Sequence, residues 1–211
     1  MTDIALDIQR SSVNAEAIFA DWFNRFTTAM ESFDAAALSQ LIAPDGWWRD
    51  LLALTWNLTT RHGADTIEPM LKEALGTVLV SNVRIDDEIA PRLIQPSDDV
   101  AWIEGFYTFE TTSVTGRGVV RLVSGDGEWR AWTILTAMED LKGYERALGV
   151  RRPEHPSRGP GSHVEDTRKN WREQRTAKVA FENSQPDVVV IGAGQGGLAV
   201  AANLGLLKRF V

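Results

Sequence analysis

The sequence contains no cysteine, three histidines and two tyrosines among 211 residues. Without cysteine there are no disulfides, thiolate metal sites or cysteine nucleophiles, and the composition favours a reducing compartment, which we take to be the cytoplasm. The few histidines show no paired spacing, so we expect no metal site. No apolar run is long enough to span a bilayer and no signal peptide precedes the first helix, so we expect no membrane partner.

Charge is unevenly distributed along the chain. Residues 1–145 contain 11 Lys and Arg against 23 Asp and Glu, whereas residues 146–211 contain 11 against 6. The basic excess indicates either a nucleic-acid arm or a solvated linker helix beside an acidic domain. We favour the linker and expect no nucleic-acid partner, because no basic surface with interleaved aromatic residues accompanies the charge.

Hydrophobic periodicity predicts helices first and strands afterwards. Apolar residues at three- and four-residue spacing predict a helix over residues 14–31. A short helix is expected from Asp34, and a third from Thr66 to Leu75 with Asp65 and Glu68 as a capping pair. Alternating or apolar runs then predict strands. These are Trp47–Leu58, Thr77–Asp87, a short piece around Leu93, Val100–Thr112, Arg117–Ser124 and Glu128–Met138.

This order predicts the fold class of the first domain. A turn at Gly125–Gly127 joins the last two strands as a hairpin. Helices followed by an antiparallel meander indicate an α+β domain over residues 1–146, with helices packed on a curved antiparallel sheet. We expect residues 147–185 to form a basic linker with a polar helix.

A glycine-rich turn follows the apolar run Val188–Ile191. Strand, turn and helix in this order are typical of a dinucleotide-binding motif, whose glycines permit a tight turn and close approach of a diphosphate. The second strand and the ribose-binding acidic residue of such a domain do not follow within the sequence. Residues 186–211 are therefore expected to be an incomplete Rossmann β-α unit. The predicted cofactor-binding residues are Gly192, Ala193, Gly194, Gln195, Gly196 and Gly197.

Four segments together resemble the start of one family. They are WRDLLALTW at 48–56, HGAD at 62–65, a basic linker containing RKNW at 168–171, and VVVIGAGQGGLAVAANL at 188–204. They are similar to flavin-containing monooxygenases that carry a SnoaL-like domain, also called the nuclear-transport-factor-two-like fold, before the FAD-binding domain.

This resemblance implies a function. FAD would bind at the glycine turn, NADPH at a second glycine motif that is missing from this sequence, and oxygen transfer would proceed through a flavin hydroperoxide. The chain would be the N-terminal portion of such an enzyme, truncated within its Rossmann domain and inactive alone. One alternative is a stand-alone SnoaL-like isomerase, cyclase or dehydratase that needs no cofactor and keeps a vestigial Rossmann tail. Another is a non-enzymatic dimerisation or ligand-binding module.

The resemblance also implies partners. SnoaL-like cones enclose an apolar pocket, so a small apolar ligand is expected there. They commonly pair through the open face of the sheet, so a homodimer is expected, with the aromatic-rich strands Val100–Thr112 and Glu128–Met138 as its surface.

Asp50 and His62 are candidate catalytic residues of the cone pocket. Asp50 follows Arg49 within a run of Trp and Leu, where a desolvated carboxylate can act as an acid or base. The alternative is a structural Asp–Arg pair. His62 precedes a predicted helix and is either a general base or a loop histidine.

Glu104 is the third candidate and lies between Trp102 and Phe106 on one strand face. It is either part of the pocket chemistry or an exposed residue beside a dimer contact. Tyr107 is expected on the opposite face, because side chains alternate along a strand.

Overall fold

The computed structural model describes residues 14–145, 170–181 and 185–206. It divides the chain into two compact units, Met1–Lys142 and Gly143–Val211. Most of the predicted basic linker, 147–185, lies outside the described residues, so its prediction remains open. No helix in the described ranges is both long and apolar enough to cross a bilayer.

The described part of the first unit contains three helices and seven strands that form one sheet. The helices are α1 (Ala15–Glu31), α2 (Ala35–Gln40) and α3 (Ala64–Leu75). The strands are β1 (Ile42–Leu51), β2 (Leu58–His62), β3 (Val80–Ile85), β4 (Arg92–Ser97), β5 (Val100–Thr111), β6 (Val114–Gly125) and β7 (Glu128–Leu141).

The sheet has the order β2-β1-β7-β6-β5-β3, and β4 pairs with the free part of β5. All pairs are antiparallel except β1 with β7, which is parallel. The expected α+β class is therefore confirmed. The sheet is mixed rather than wholly antiparallel, because α2 leads directly into a strand that joins the sheet beside its last strand.

Helix α1 begins where the sequence predicts. The Asn14 side chain accepts a hydrogen bond from the Ala17 N–H at 3.1 Å and so satisfies one of the free donors of the first turn. Its apolar stripe is buried against the sheet. Helix α2 begins in the same way, with Asp34 accepting from the Ala37 N–H at 2.9 Å.

Helix α3 starts two residues earlier than predicted, and the expected Asp65–Glu68 capping pair is wrong. The N-cap is Gly63, whose φ of 75° suits glycine, and no side chain caps the helix. The Glu68 carboxylate instead accepts from the Ser39 hydroxyl at 3.1 Å, which ties α3 to α2.

The predicted strand Trp47–Leu58 is also wrong in its bounds. β1 begins at Ile42 and has a register shift between Ile42 and Trp47, which accommodates Pro44 in the strand. The chain leaves the sheet after Leu51, and residues 52–57 form a loop that returns as β2.

The hairpin between β6 and β7 is confirmed. Asp126 and Gly127 have φ values of 51° and 80°, the left-handed pair of a two-residue turn whose twist matches that of the strands. The long strands β5, β6 and β7 therefore form a continuous meander, and their side chains alternate between the two faces of the sheet.

The described part of the second unit consists of two helices, α4 (Trp171–Ala180) and α5 (Gln195–Leu206). The helix after the glycine turn is thus present. The predicted strand Val188–Ile191 is wrong, since residues 185–194 have no regular secondary structure. Val189 and Ile191 are 73% and 96% exposed, so this apolar run is not packed as a strand of a nucleotide domain would be.

Candidate functional site

Aromatic side chains fill the interior of the cone between α1 and the inner face of the sheet, the face that packs on the helices. Neighbouring rings have centroids 5.0 to 6.3 Å apart. They are Phe19, Trp22, Phe23, Phe26, Trp48 and Tyr107, and each is 4% exposed or less. Side chains therefore occupy the interior where the sequence predicts a pocket for a small apolar ligand.

Asp50 is fully buried on this inner face and accepts hydrogen bonds at both carboxylate oxygens. Its Oδ1 accepts from the Thr136 hydroxyl at 2.6 Å and from the Leu54 N–H at 3.1 Å. Its Oδ2 accepts from the Thr55 N–H at 2.9 Å and from the Thr55 hydroxyl at 2.6 Å. These hydrogen bonds fix the 52–57 loop to the sheet.

The alternative of an Asp50–Arg49 pair is wrong. Arg49 is exposed on the other face of β1, because consecutive side chains of a strand point to opposite faces. The side-chain partners of Asp50 are the hydroxyls of Thr55 and Thr136, and no local pattern in the sequence indicates them. The Trp48 indole N–H extends this network by donating to Thr136 at 3.1 Å.

Thr55 connects the buried carboxylate with a cavity at the surface. This cavity, which we call the Thr55 cavity, has a volume of about 450 Å³ and lies between the 52–57 loop, β2 and α3. Its wall includes Thr55, Trp56, Arg61, Met70 and Glu73. Thr55 therefore lines the cavity and also donates its hydroxyl hydrogen to the buried Asp50 carboxylate.

Tyr107 lies on the inner face, as predicted from strand alternation, and its hydroxyl donates to the Leu135 carbonyl at 3.0 Å. Burial, and secondly the negative charge of Asp50, raise the pKa of Tyr107 far above its usual value. The phenol therefore stays neutral at physiological pH and acts as a hydrogen-bond donor within the core.

Glu104 lies on the opposite, outer face of the sheet and is 9% exposed. Its carboxylate pairs with the Arg121 Nε at 3.0 Å and more loosely with the Arg92 Nη2 at 3.6 Å. Glu104 therefore does not face the interior that holds Asp50. It is also not the exposed residue of the alternative interpretation, because its side chain is covered by Arg121 and Arg92.

The outer face of the sheet carries apolar and aromatic side chains that remain half-exposed. Phe106, Val119 and Leu135 form one cross-strand row over β5, β6 and β7. Next to this row, Trp102 and Trp132 have ring centroids 6.4 Å apart, and the Arg121 guanidinium lies 5.5 Å from the Trp102 ring. Among the described residues the Trp102 indole N–H is buried without a hydrogen-bond partner. We call these residues the outer-face patch.

His62 is the last residue of β2 and is exposed. Its ring stacks on Trp47 with centroids 4.1 Å apart and planes 21° apart. The structure therefore separates the three predicted catalytic residues. Asp50 is inside the cone, Glu104 is on the outer face and His62 is on the edge strand, so they do not form one constellation.

The glycine turn only partly fits a dinucleotide. Gly192 has a φ of 104°, and a side chain on Gly197 would overlap the Gly192 carbonyl, so both positions require glycine. However, the turn is not preceded by a strand, and the apolar run before it is exposed. The described residues therefore do not build the sheet edge on which FAD would lie. In the same described ranges, no group of three His, Cys, Asp or Glu is placed to hold a metal ion.

Comparisons with known proteins give neighbours among solved structures, but no family model and no curated protein matches the chain. A ketosteroid isomerase-like protein from Erwinia carotovora atroseptica is 16% identical with a TM-score of 0.47, covering 61% of this chain and 99% of its own. Aln2 from a Streptomyces species is also 16% identical with a TM-score of 0.47, covering 61% and 93%. A domain of unknown function with a cystatin-like fold from Nostoc punctiforme is 11% identical with a TM-score of 0.49, covering 94% and 99%.

The surroundings of the glycine turn correct the expectation of an FAD-binding Rossmann oxidoreductase. No strand precedes the turn among the described residues, and Val189 and Ile191 before it are exposed. The helices and the curved sheet of the first unit define its fold. We do not propose a flavin-binding domain at the glycine turn.

Proposed function

We propose that the first unit of the chain is a cone that needs no cofactor and acts as a homodimeric module, paired through the outer-face patch. The observation that carries this proposal is the row of Phe106, Val119 and Leu135, which stays half-exposed across three central strands. Large contiguous apolar surfaces on soluble proteins are typical of interaction sites. The cytoplasm remains the compartment that we propose from the cysteine-free composition.

The charges around the patch suit an isologous contact. Glu104 pairs with Arg121 at 3.0 Å and lies 3.6 Å from Arg92 beside the apolar row, so the carboxylate next to this row already has cationic partners within its own chain. Trp102 and Trp132 add aromatic area of the kind enriched at interface cores.

The substitution Val119→Glu tests the dimer. Light scattering coupled to gel filtration should give the wild type twice the 23.4 kDa mass of the chain and the variant a single chain mass. The reason is that the contact would bury two additional carboxylates at its centre, one from each subunit, and removing them from water is costly. Leu79→Glu is the matched control, because Leu79 is 62% exposed in the turn before β3. A monomeric wild type, or a Val119→Glu variant that remains dimeric, would contradict the proposal.

The Thr55 cavity favours a second candidate function, acid–base catalysis without a cofactor, as in an isomerase, cyclase or dehydratase. The hydroxyl of Thr55 lines the cavity and donates to Asp50 at 2.6 Å. In this proposal Oγ1 of Thr55 takes a proton from an acidic C–H of the ligand while its own proton passes to Asp50. The ligand is left as an enolate, and return of the proton at another carbon completes an isomerisation.

Deuterium incorporation into enolisable cyclic ketones in heavy water, followed by NMR, tests this candidate. Thr55→Val should reduce exchange about a hundredfold, since it removes the relay, while Thr55→Ser should retain it. Thr60→Val, on the exposed side of β2, serves as a control. Equal rates for Thr55→Val and the wild type, or no exchange by the wild type, would reject acid–base chemistry and leave the dimeric module.

A further inference from the structure

A wide polar groove lies outside the cone, between α1, α2 and the beginning of β7. Its volume is about 1010 Å³, and we call it the α1–α2 groove. The side chains along it are mainly charged groups, amides and hydroxyls. They include Asp21, Asn24, Arg25, Thr28, Gln40 and Arg130. Neither the dimer contact nor the Thr55 cavity involves these residues.

The charges in this groove are arranged as internal pairs. Arg25 contacts Asp21 at 3.3 Å, and Arg130 contacts Glu128 at 2.9 Å. Asp34 already caps α2. Each cation has a carboxylate neighbour, so the groove has no excess of positive charge that would attract an anion. These two ion pairs fix the planar guanidinium and carboxylate groups. Each group keeps donor or acceptor positions that the ion pair does not use.

One of these unused positions is a buried donor. The Nε–H of Arg130 is shielded from solvent and has no hydrogen-bond partner among the described residues. Buried guanidinium donors are normally satisfied by protein or by ordered water, so this Nε–H is a position that a bound polar group can occupy. An uncharged acceptor suits it best, because the Glu128 carboxylate already contacts the same guanidinium at 2.9 Å.

The groove continues into a depression that ends at an aromatic side chain. This second hollow, about 610 Å³, shares Asp21, Arg25 and Glu128 with the first and adds Trp129. Trp129 is half-buried, packs partly on the core and offers the rest of its ring to the hollow. An aromatic ring next to fixed polar groups offers a ligand one apolar surface and several groups that can form directional hydrogen bonds.

From these features we infer that the α1–α2 groove binds a neutral carbohydrate. A sugar carries hydroxyls that both donate and accept, which matches the paired Arg and Asp or Glu groups and the amides of Asn24 and Gln40. Its C–H faces suit the ring of Trp129. A neutral sugar also avoids the repulsion that Asp21, Asp34 and Glu128 would exert on an anionic ligand. This function is separate from the dimerisation proposed above.

Saturation-transfer difference NMR of the full chain with defined trisaccharides tests the inference. The neutral probes are maltotriose, cellotriose and N,N′,N″-triacetylchitotriose, and trigalacturonate is the anionic comparison. At least one neutral sugar should show saturation transfer, and Arg130→Met should weaken its binding about fivefold by removing the buried donor. Asn24→Ala, an exposed change on α1, should weaken binding similarly without affecting the core. Arg172→Met is the matched control, since Arg172 is an exposed arginine on α4 that lines neither hollow.

The outcomes separate clearly. Binding of a neutral sugar that falls in both groove variants and persists in Arg172→Met supports the inference. Absence of transfer to all neutral probes, binding of trigalacturonate that equals or exceeds theirs, or unchanged binding in both groove variants would overturn it. The dimer test is independent of these results, so failure of one proposal does not affect the other.

Discussion

Asp50→Ala is expected to lower the free energy of unfolding by about 4 kcal/mol, measured by urea denaturation with tryptophan fluorescence. The substitution removes a buried carboxylate and leaves the N–H groups of Leu54 and Thr55 without an acceptor. Each buried donor without a partner costs about 1 to 3 kcal/mol. The hydroxyls of Thr55 and Thr136 lose their shortest hydrogen bonds as well. Asp50 therefore determines the conformation of the 52–57 loop as well as any proton chemistry at Thr55.

Asp45→Ala on the same strand is the control. Asp45 is exposed, and a surface change of this kind should alter stability by no more than about 0.5 kcal/mol. Asp50→Asn should also be destabilised, because its amide N–H₂ would face donors where the carboxylate accepts. If Asp50→Ala lost less than about 1 kcal/mol, the loop would not depend on the carboxylate network.

The second large effect is expected at Gly118 in β6. A Cβ at this position would overlap the ring of Tyr107 and lie 2.5 Å from the Leu135 carbonyl oxygen. The ring is fully buried and the carbonyl is part of β7, so neither can move without opening the core. Gly118→Ala should therefore lower the free energy of unfolding by about 3 kcal/mol, the upper range for overpacking a core.

Gly125→Ala gives a matched comparison on the same strand. At Gly125 no atom lies within 4 Å of the added Cβ, so the same chemical change should have little effect. Thermal unfolding followed by circular dichroism measures both variants under identical conditions. Equal midpoints for the two variants would mean that Tyr107 does not pack against β6 as described.

Local signals in the sequence predicted the elements that depend on neighbouring residues. The helix predicted over residues 14–31, its apolar stripe and the turn at Gly125–Gly127 all depend on a few neighbouring positions, and the structure confirms them. The opposite faces of Glu104 and Tyr107 follow from strand alternation alone. These features need no information about distant parts of the chain.

The features that were missed depend on contacts between distant residues. The path of β1 and the loop after Leu51 is set by Asp50, whose partner Thr136 is 86 positions away in the sequence. Threonine is too common for its spacing to reveal such a pair. Strand alternation predicts that Glu104 lies on the face opposite Tyr107. It does not predict Arg92 and Arg121 as the ionic partners of Glu104, because these residues belong to neighbouring strands.

The glycine turn shows why a motif needs its surroundings. Residues 188–191 have the composition of a buried strand, but a strand of this kind is stable only when neighbouring strands and covering helices bury it. In the described second unit this run is exposed and irregular. Glycine positions that suit a diphosphate turn therefore do not by themselves establish a dinucleotide site.

The visible absorption spectrum of the full chain, purified in the presence of excess FAD and then freed of unbound ligand, tests the central claim most directly. A cone protein that works without a cofactor should be colourless and should release no flavin on denaturation. A yellow protein that retains one FAD per chain through gel filtration would contradict the account and restore the glycine turn as a working flavin site.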